Sequence, residues 1–362
     1  MKEWWANDGQ NCKFAWEKAD GLPCLITQLS SATSSMEKTM SEFLPTKVMN
    51  SSREVFHRLK SLIGSRIKGK DEVIDNILIC LAAGGHALIE DLPGVGKTTL
   101  AYCLAKATHS DFTRIQFTSD LLPTDVTGVS VYDEKEKSFI FKKGPIFSNI
   151  VLVDEINRAT PKTQSSLLEV MDHGRVSIDG VTYSVGDPFI VLATQNPVDY
   201  EGTFPLPESQ MDRFLMRLQM GYPSHENELQ ILASENSNYN ELKFGDPVSR
   251  EDIIRVRGIV ANVYIEHSVL DYILGIITAT RTETEFKAGI SVRGCLALKT
   301  AAQARALYLG RDFVLPEDVE AVSRATLSHR LNLRRPSSDA IEERRLVEGI
   351  VSRILAVVPQ PK

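Results

Sequence analysis

The chain has 362 residues, 43% hydrophobic and 24% charged, with 47 acidic against 41 basic side chains and a formal net charge of −6. That length predicts two domains around a substantial core, and the acidic balance argues against general nucleic-acid binding. The five cysteines (Cys12, Cys24, Cys80, Cys103, Cys295) lack C-x-x-C or metal-ligand spacing and read as free thiols of a reducing compartment.

The opening MKEWWANDGQ has no signal-peptide form, and the apolar stretches at 73–89 and 259–278 are broken by charged or His residues. No membrane span is expected, and the protein reads as soluble and cytoplasmic. Residues 1–50 hold all three tryptophans and a serine-rich run from Ser30. They form a variable extension: loosely ordered, a docking arm, or a segment preceding an internal start at Met36, Met40 or Met49. From Ser51, Val55, Phe56, Leu59, Leu62 and Ile63 fall on one helical face, with Ser51 or Ser52 as N-cap. The turn Ile67–Gly69 precedes a second helix reaching about Ala83, and either borders a bound base or simply joins two helices.

Ala87–Glu90 reads as a short buried strand, Asp91-Leu-Pro-Gly-Val-Gly96 as a loop, and Lys97-Thr98-Thr99 as a helix start. Strand, glycine-rich loop and helix in that order make a phosphate cradle. Pro93, Gly94, Val95 and Gly96 shape it, and Gly94 and Gly96 let backbone N–H groups face phosphate oxygens. Lys97 reaches the β- and γ-phosphates, while Thr98 ligates Mg²⁺. Asp91 stands where the common G-x-x-x-x-G-K-[ST] pattern has its first glycine.

Thr113–Phe117 reads as a second strand, and Val129–Tyr132 with Phe139–Lys142 as a hairpin insertion. In NIVLVDE (149–155) a four-residue apolar run ends in Asp154 and Glu155. The run suits a central parallel strand. Its acids suit a cation and a water: Asp154 to hold Mg²⁺, Glu155 to activate the attacking water. A helix over 162–171 leads to a second hairpin over 176–185, turning at Asp179-Gly180. Phe189–Thr194 and Phe214–Met220 complete five strands, predicting a three-layer α/β/α parallel sheet within 51–222. Residues 223–362 read as a helical lid, with helices at 226–234, 250–263, 268–281, 292–309 and 316–329. The basic cluster Arg324, His329, Arg330, Arg334, Arg335 reads as a solvated face.

Four segments taken together, PGVGKTTLA (93–101), QFTSDLLPTDVTG (116–128), GPIFSNIVLVDEINRATPKTQSSLLEVM (144–171) and ATQNPVDYEGTFPLPESQMDRFLMRL (193–218), resemble the MoxR family of AAA+ ATPases. The resemblance runs from about Ser51 to Pro359. It implies Mg²⁺-dependent ATP hydrolysis, with Asn196 as the sensor of γ-phosphate and lytic water, where the bare alternative is a turn asparagine before Pro197. It further implies that Arg213 is an arginine finger reaching a neighbouring subunit, the alternative being an ion pair with Asp212 or Glu208. Arg293 resembles the lid's second sensor, although Val292 replaces the family's usual proline, and Arg158 is a further residue facing a neighbour. Hexameric rings follow from the resemblance, as do chaperone-like action on a protein client and a von Willebrand factor A domain partner. The competing readings are a metal-chelatase-like motor, a nucleic-acid motor and a small-molecule kinase.

Overall fold

The computed structural model describes residues 44–92, 94–196, 202–233, 244–337 and 339–361. Five parallel strands, β1 (Ala87–Glu90), β2 (Phe112–Gln116), β5 (Ile150–Asp154), β8 (Ile190–Gln195) and β9 (Met216–Leu218), lie side by side in the order β2-β5-β8-β1-β9. Register runs straight across the sheet: Ile115 opposes Val153, Val153 opposes Ala193, Leu192 opposes Ala87, and Ala87 opposes Met216.

Alternate residues of a strand point to opposite faces, and here both faces are buried. Ala87, Ile89, Ile150, Leu152, Ile190 and Leu192 pack into one apolar cluster with Leu100 and Leu104 of the helix Lys97–Ala107. Leu88, Val151, Val153, Val191 and Ala193 pack into the other with Leu167 and Leu168 of the helix Pro161–His173. Burial on both faces explains why these strands read as unbroken apolar runs. The first cluster continues into the C-terminal helices through Ile276, Leu298, Ala302 and Val322. An α/β/α sheet with a helical lid is therefore the architecture.

Two ribbons project from the sheet. β3 (Gly128–Asp133) pairs with β4 (Ser138–Lys143), and β6 (Arg175–Ile178) with β7 (Val181–Ser184). At the base of the first, Gly128 sits at φ +98°, and a Cβ there would lie 2.3 Å from the Lys142 carbonyl, so only glycine fits. The rings of Phe141 and Tyr183 stack at 4.3 Å and join the two ribbons.

Several expected boundaries shift. The first helix spans Thr46–Gly64 rather than starting at Ser51. Ser52 is buried inside it, its hydroxyl donating to the Val48 carbonyl at 3.0 Å, while Met49 joins the apolar face. Among the described residues Ala340–Val357 adds a lid helix beyond the five expected. Cys80 and Cys103 are buried free thiols, Cys295 is half-buried and free, and Cys12 and Cys24 lie outside the described residues. Among the described residues no helix is long and apolar enough to cross a membrane.

Candidate active site

β1 ends at Glu90 and the chain turns through 91–96 into the helix Lys97–Ala107. Gly94 and Gly96 take φ of +84° and +93°. The helix opens on Gly96 with no side-chain cap among the described residues, so its first N–H groups have no intrahelical acceptor and face outward, as an anion site requires. Val95 is buried, Thr98 and Thr99 are half-buried in the first turn, and Pro93 lies outside the described residues. Lys97 Nζ donates to the Asp91 and Leu92 carbonyls at 2.9 and 3.2 Å, stretching across the loop. Burial lowers the pKa of this ammonium, against the opposing pull of Asp91, Asp154 and Glu155. Three carboxylates from two strand ends thus converge on one lysine.

Asp91, expected among the nucleotide-loop residues, braces the loop through its carboxylate. Its Oδ2 accepts from the backbone amides of Met220 and Gly221, each at 2.6 Å, and Oδ1 accepts from the Leu92 amide at 2.9 Å. An anion so placed ties the loop to the exit of β9. The same exit receives the Ile67–Gly69 turn, because Lys70 Nζ donates to the Met220 and Tyr222 carbonyls at 2.5 and 2.7 Å. Gly69, at φ +66°, packs against the Asn227 side chain. Ile67, Gly69 and the phosphate loop therefore share one neighbourhood.

Asp154 closes β5 and Glu155 follows it in the left-handed region at φ +55°. Asp154 Oδ2 accepts from Arg114 Nε at 2.6 Å, and Oδ1 accepts from the Thr194 hydroxyl at 3.1 Å. The Thr194 oxygen in turn accepts the Glu155 amide at 3.0 Å. Glu155 Oε2 accepts from Gln116 Nε2 at 2.8 Å and pairs with Arg158 Nε at 3.1 Å. Thr194, Arg114 and Gln116 escape motif reading because their signal is positional: they occupy strands flanking the acids. Asn196 comes directly after β8 and borders a cavity of about 340 Å³. Glu90, Arg217 and Arg344 line the same cavity, with Glu90 Oε2 at 2.8 Å from Arg344 Nη2.

Arg213 and Arg293 lie elsewhere. Arg213 precedes β9, and the Leu215 amide donates to the carbonyl of His86, the residue before β1. Because the strands are parallel, this is the sheet's starting edge, separated from the phosphate loop by the length of β1, on the order of 13 Å. Arg213 Nη1 meets Asp172 Oδ2 at 2.9 Å, and Arg293 Nη2 bonds the other oxygen of the same carboxylate. Neither Asp212 nor Glu208 is the Arg213 partner: Asp212 instead accepts from Arg330 Nε at 2.6 Å and from the Ser291 hydroxyl at 3.1 Å. The expected solvated basic face holds for the exposed Arg324, Arg334 and Arg335 and is corrected for His329 and Arg330, whose side chains are buried at the junction of sheet and lid. Burial and the nearby Arg330 and Arg217 push His329 well below its ordinary pKa.

Residues 86–216 match the ATPase family associated with various cellular activities (AAA), and 278–350 match the AAA lid domain. The chain is 39% identical over 305 residues to Chaperone MoxR1 of Mycobacterium tuberculosis, covering 82% of this chain and 80% of that protein. The chain belongs to the MoxR family of AAA+ ATPases. YeaC of Bacillus subtilis is 47% identical over 293 residues of this MoxR-family chain, 81% of it and 91% of YeaC. A candidate ATPase from Cytophaga hutchinsonii, solved as a crystal structure, superposes on 90% of the chain and on all of its own with a TM-score of 0.78 and 37% identity. Membership accounts for the pairing of a phosphate loop with a lid. The family match itself assigns no role to Asp172, Thr194 or Gln116.

Proposed function

We propose that this MoxR-family ATPase hydrolyses ATP with Mg²⁺ at sites shared between adjacent copies of a hexameric ring, and uses the energy to remodel a protein client. In this reading a core of residues 51–222 binds nucleotide beside a lid of 223–362. The uncapped helix start at Gly96, the stretched Lys97 and the acids at the end of β5 fit a triphosphate with its cation. Thr98 and Asp154 would hold Mg²⁺, which supplies neutralisation of charge on the β- and γ-oxygens. Lys97 binds the terminal phosphates, Glu155 takes a proton from the attacking water, and Asn196 orients that water.

One observation carries the shared-site reading: Arg213 and Arg293 stand together at the sheet edge opposite their own phosphate loop. A guanidinium on the transferring phosphoryl group contributes roughly 10³–10⁵ in rate, and one held at the far edge serves a second copy's site. Head-to-tail contacts of this kind close into rings. Arg293 acts in trans with Arg213 in this reading, while Arg158, paired with Glu155, remains on its own subunit's acid.

A protein client is supported by the chaperone name of the Mycobacterium tuberculosis relative. Val129, Tyr132, Phe139 and Ile140 on the first ribbon and Val181 on the second are exposed, giving an apolar surface for an unfolded segment. A von Willebrand factor A domain partner is part of the same proposal. The test is subunit mixing: Arg213→Ala and Glu155→Gln copies, each inactive alone, regain partial ATPase activity together. No recovery at any ratio would count decisively against shared sites.

A further inference from the structure

Asp172 joins three parts of the molecule. It lies one residue before the end of the helix Pro161–His173, and both of its carboxylate oxygens are taken by guanidinium groups, Arg213 from the sheet and Arg293 from the lid. Its side chain is 15% exposed, against 29% for Arg213 and 49% for Arg293, so the two arginines form its cover. On one side, the carbonyl of the preceding residue, Met171, contacts His86 Nε2 at 3.0 Å. Because the Val191 amide donates to His86 Nδ1 at 2.9 Å, the neutral ring carries its proton on Nε2 and donates it to Met171. On the other side, Gly174 caps the helix, and its carbonyl accepts the Val185 amide at 3.0 Å, closing the base of the β6–β7 ribbon.

We propose that Asp172 is a positioning residue that couples the two arginines to the β6–β7 ribbon. It holds Arg213 and Arg293 as one unit while the adjacent copy carries no triphosphate, and it frees the ribbon base when they turn to the adjacent copy's terminal phosphoryl group. This rests on the shared-site reading above. A phosphoryl group carries more charge than one carboxylate and offers more acceptor oxygens, so it outcompetes Asp172 for both forks. Losing both partners removes the two ion pairs that tie the end of the helix Pro161–His173 to the sheet through Arg213 and to the lid through Arg293. The ribbon is anchored at that same helix end, through the Gly174 carbonyl, and loosens with it. Arg213 has further capacity for such a turn, since its Nε is buried with no hydrogen-bond partner among the described residues.

The experiment is hydrogen–deuterium exchange at residues 174–186 in the full-length wild type and Asp172→Asn, with and without Mg²⁺ and a slowly hydrolysed ATP analogue. In the wild type, nucleotide speeds exchange there several-fold. In Asp172→Asn the ribbon exchanges at the fast rate in both conditions, while the phosphate loop still binds a fluorescent nucleotide. A nucleotide-dependent change of wild-type size in Asp172→Asn overturns the proposal, as does a wild-type ribbon indifferent to nucleotide. If Asp172→Asn does not fold, Arg213→Ala/Arg293→Ala provides the same reading, since it removes both partners and predicts the same nucleotide-independent fast exchange. Asp172→Glu, which keeps the charge, restores the dependence in part. Failed trans-complementation removes the shared-site reading itself. Successful complementation with an uncoupled wild-type ribbon removes only the role of Asp172.

Discussion

The side-chain amide of Gln116 donates to the Glu155 carboxylate at 2.8 Å, across from β2 to the end of β5. With Arg158 on the same oxygen at 3.1 Å, the acid is engaged by two donors that must give way before that oxygen accepts a proton from water. Gln116→Ala is expected to raise basal turnover by roughly fivefold, the equivalent of about 1 kcal/mol. Phosphate release at saturating ATP measures it. A rate below wild type would instead make Gln116 part of the competent arrangement.

Lys97 and Glu155 separate binding from turnover. Lys97 spans the loop while Glu155 lies at the end of β5. Lys97→Ala should abolish binding of a fluorescent nucleotide. Glu155→Gln should bind it normally and lose about 10²–10⁴ in turnover. Undiminished affinity in Lys97→Ala would take the lysine out of the phosphate site.

Asp91→Gly restores the glycine of the common pattern and should nevertheless destabilise the protein. Met220 and Gly221 amides both lose a charged acceptor at 2.6 Å. Hydrogen bonds to charged groups contribute roughly 1.5–3 kcal/mol, so a lower Tm is expected in calorimetry without nucleotide. An unchanged Tm would mean that the loop keeps its place without this brace.

His86 predicts acid sensitivity. Burial lowers its pKa from the ordinary 6.5 to about 4. The unfolded chain therefore takes up a proton that the folded one refuses. Stability is full above about pH 6.5 and falls as pH drops toward 4, by about 2 kcal/mol at pH 5. Denaturant midpoints between pH 7.5 and 5 measure the slope, and His86→Gln should flatten it while lowering stability at every pH. An equal slope in the variant would assign the effect to other groups, with buried His329 the first to examine.

What was legible in the sequence follows the range of the interactions. The strands β1, β5 and β8 are buried on both faces and write themselves as apolar runs, and the loop from Asp91 to Thr99 is local. Thr194, Arg114 and Gln116 act across strands some 40 residues away from the acids they touch, so spacing along the chain carries no trace of them. Asp172 is an ordinary acid near a helix end until folding brings Arg213 and Arg293 to it from 41 and 121 residues away. The start of the first helix was missed for a different reason. Ser52 looks like a cap, yet its hydroxyl bonds backward to Val48 inside the helix. Burial of the His329 and Arg330 side chains depends on how the lid docks, which a linear cluster of basic residues does not encode.

The phosphate loop and the arginine pair occupy opposite ends of the same strands. In any open row of copies stacked this way, the last loop receives no arginine and the first arginine pair meets no loop, so working centres number one fewer than subunits. Closure abolishes that deficit. On the shared-site reading, specific activity should therefore rise with protein concentration and level off once rows have joined end to end, and dilution would switch it off.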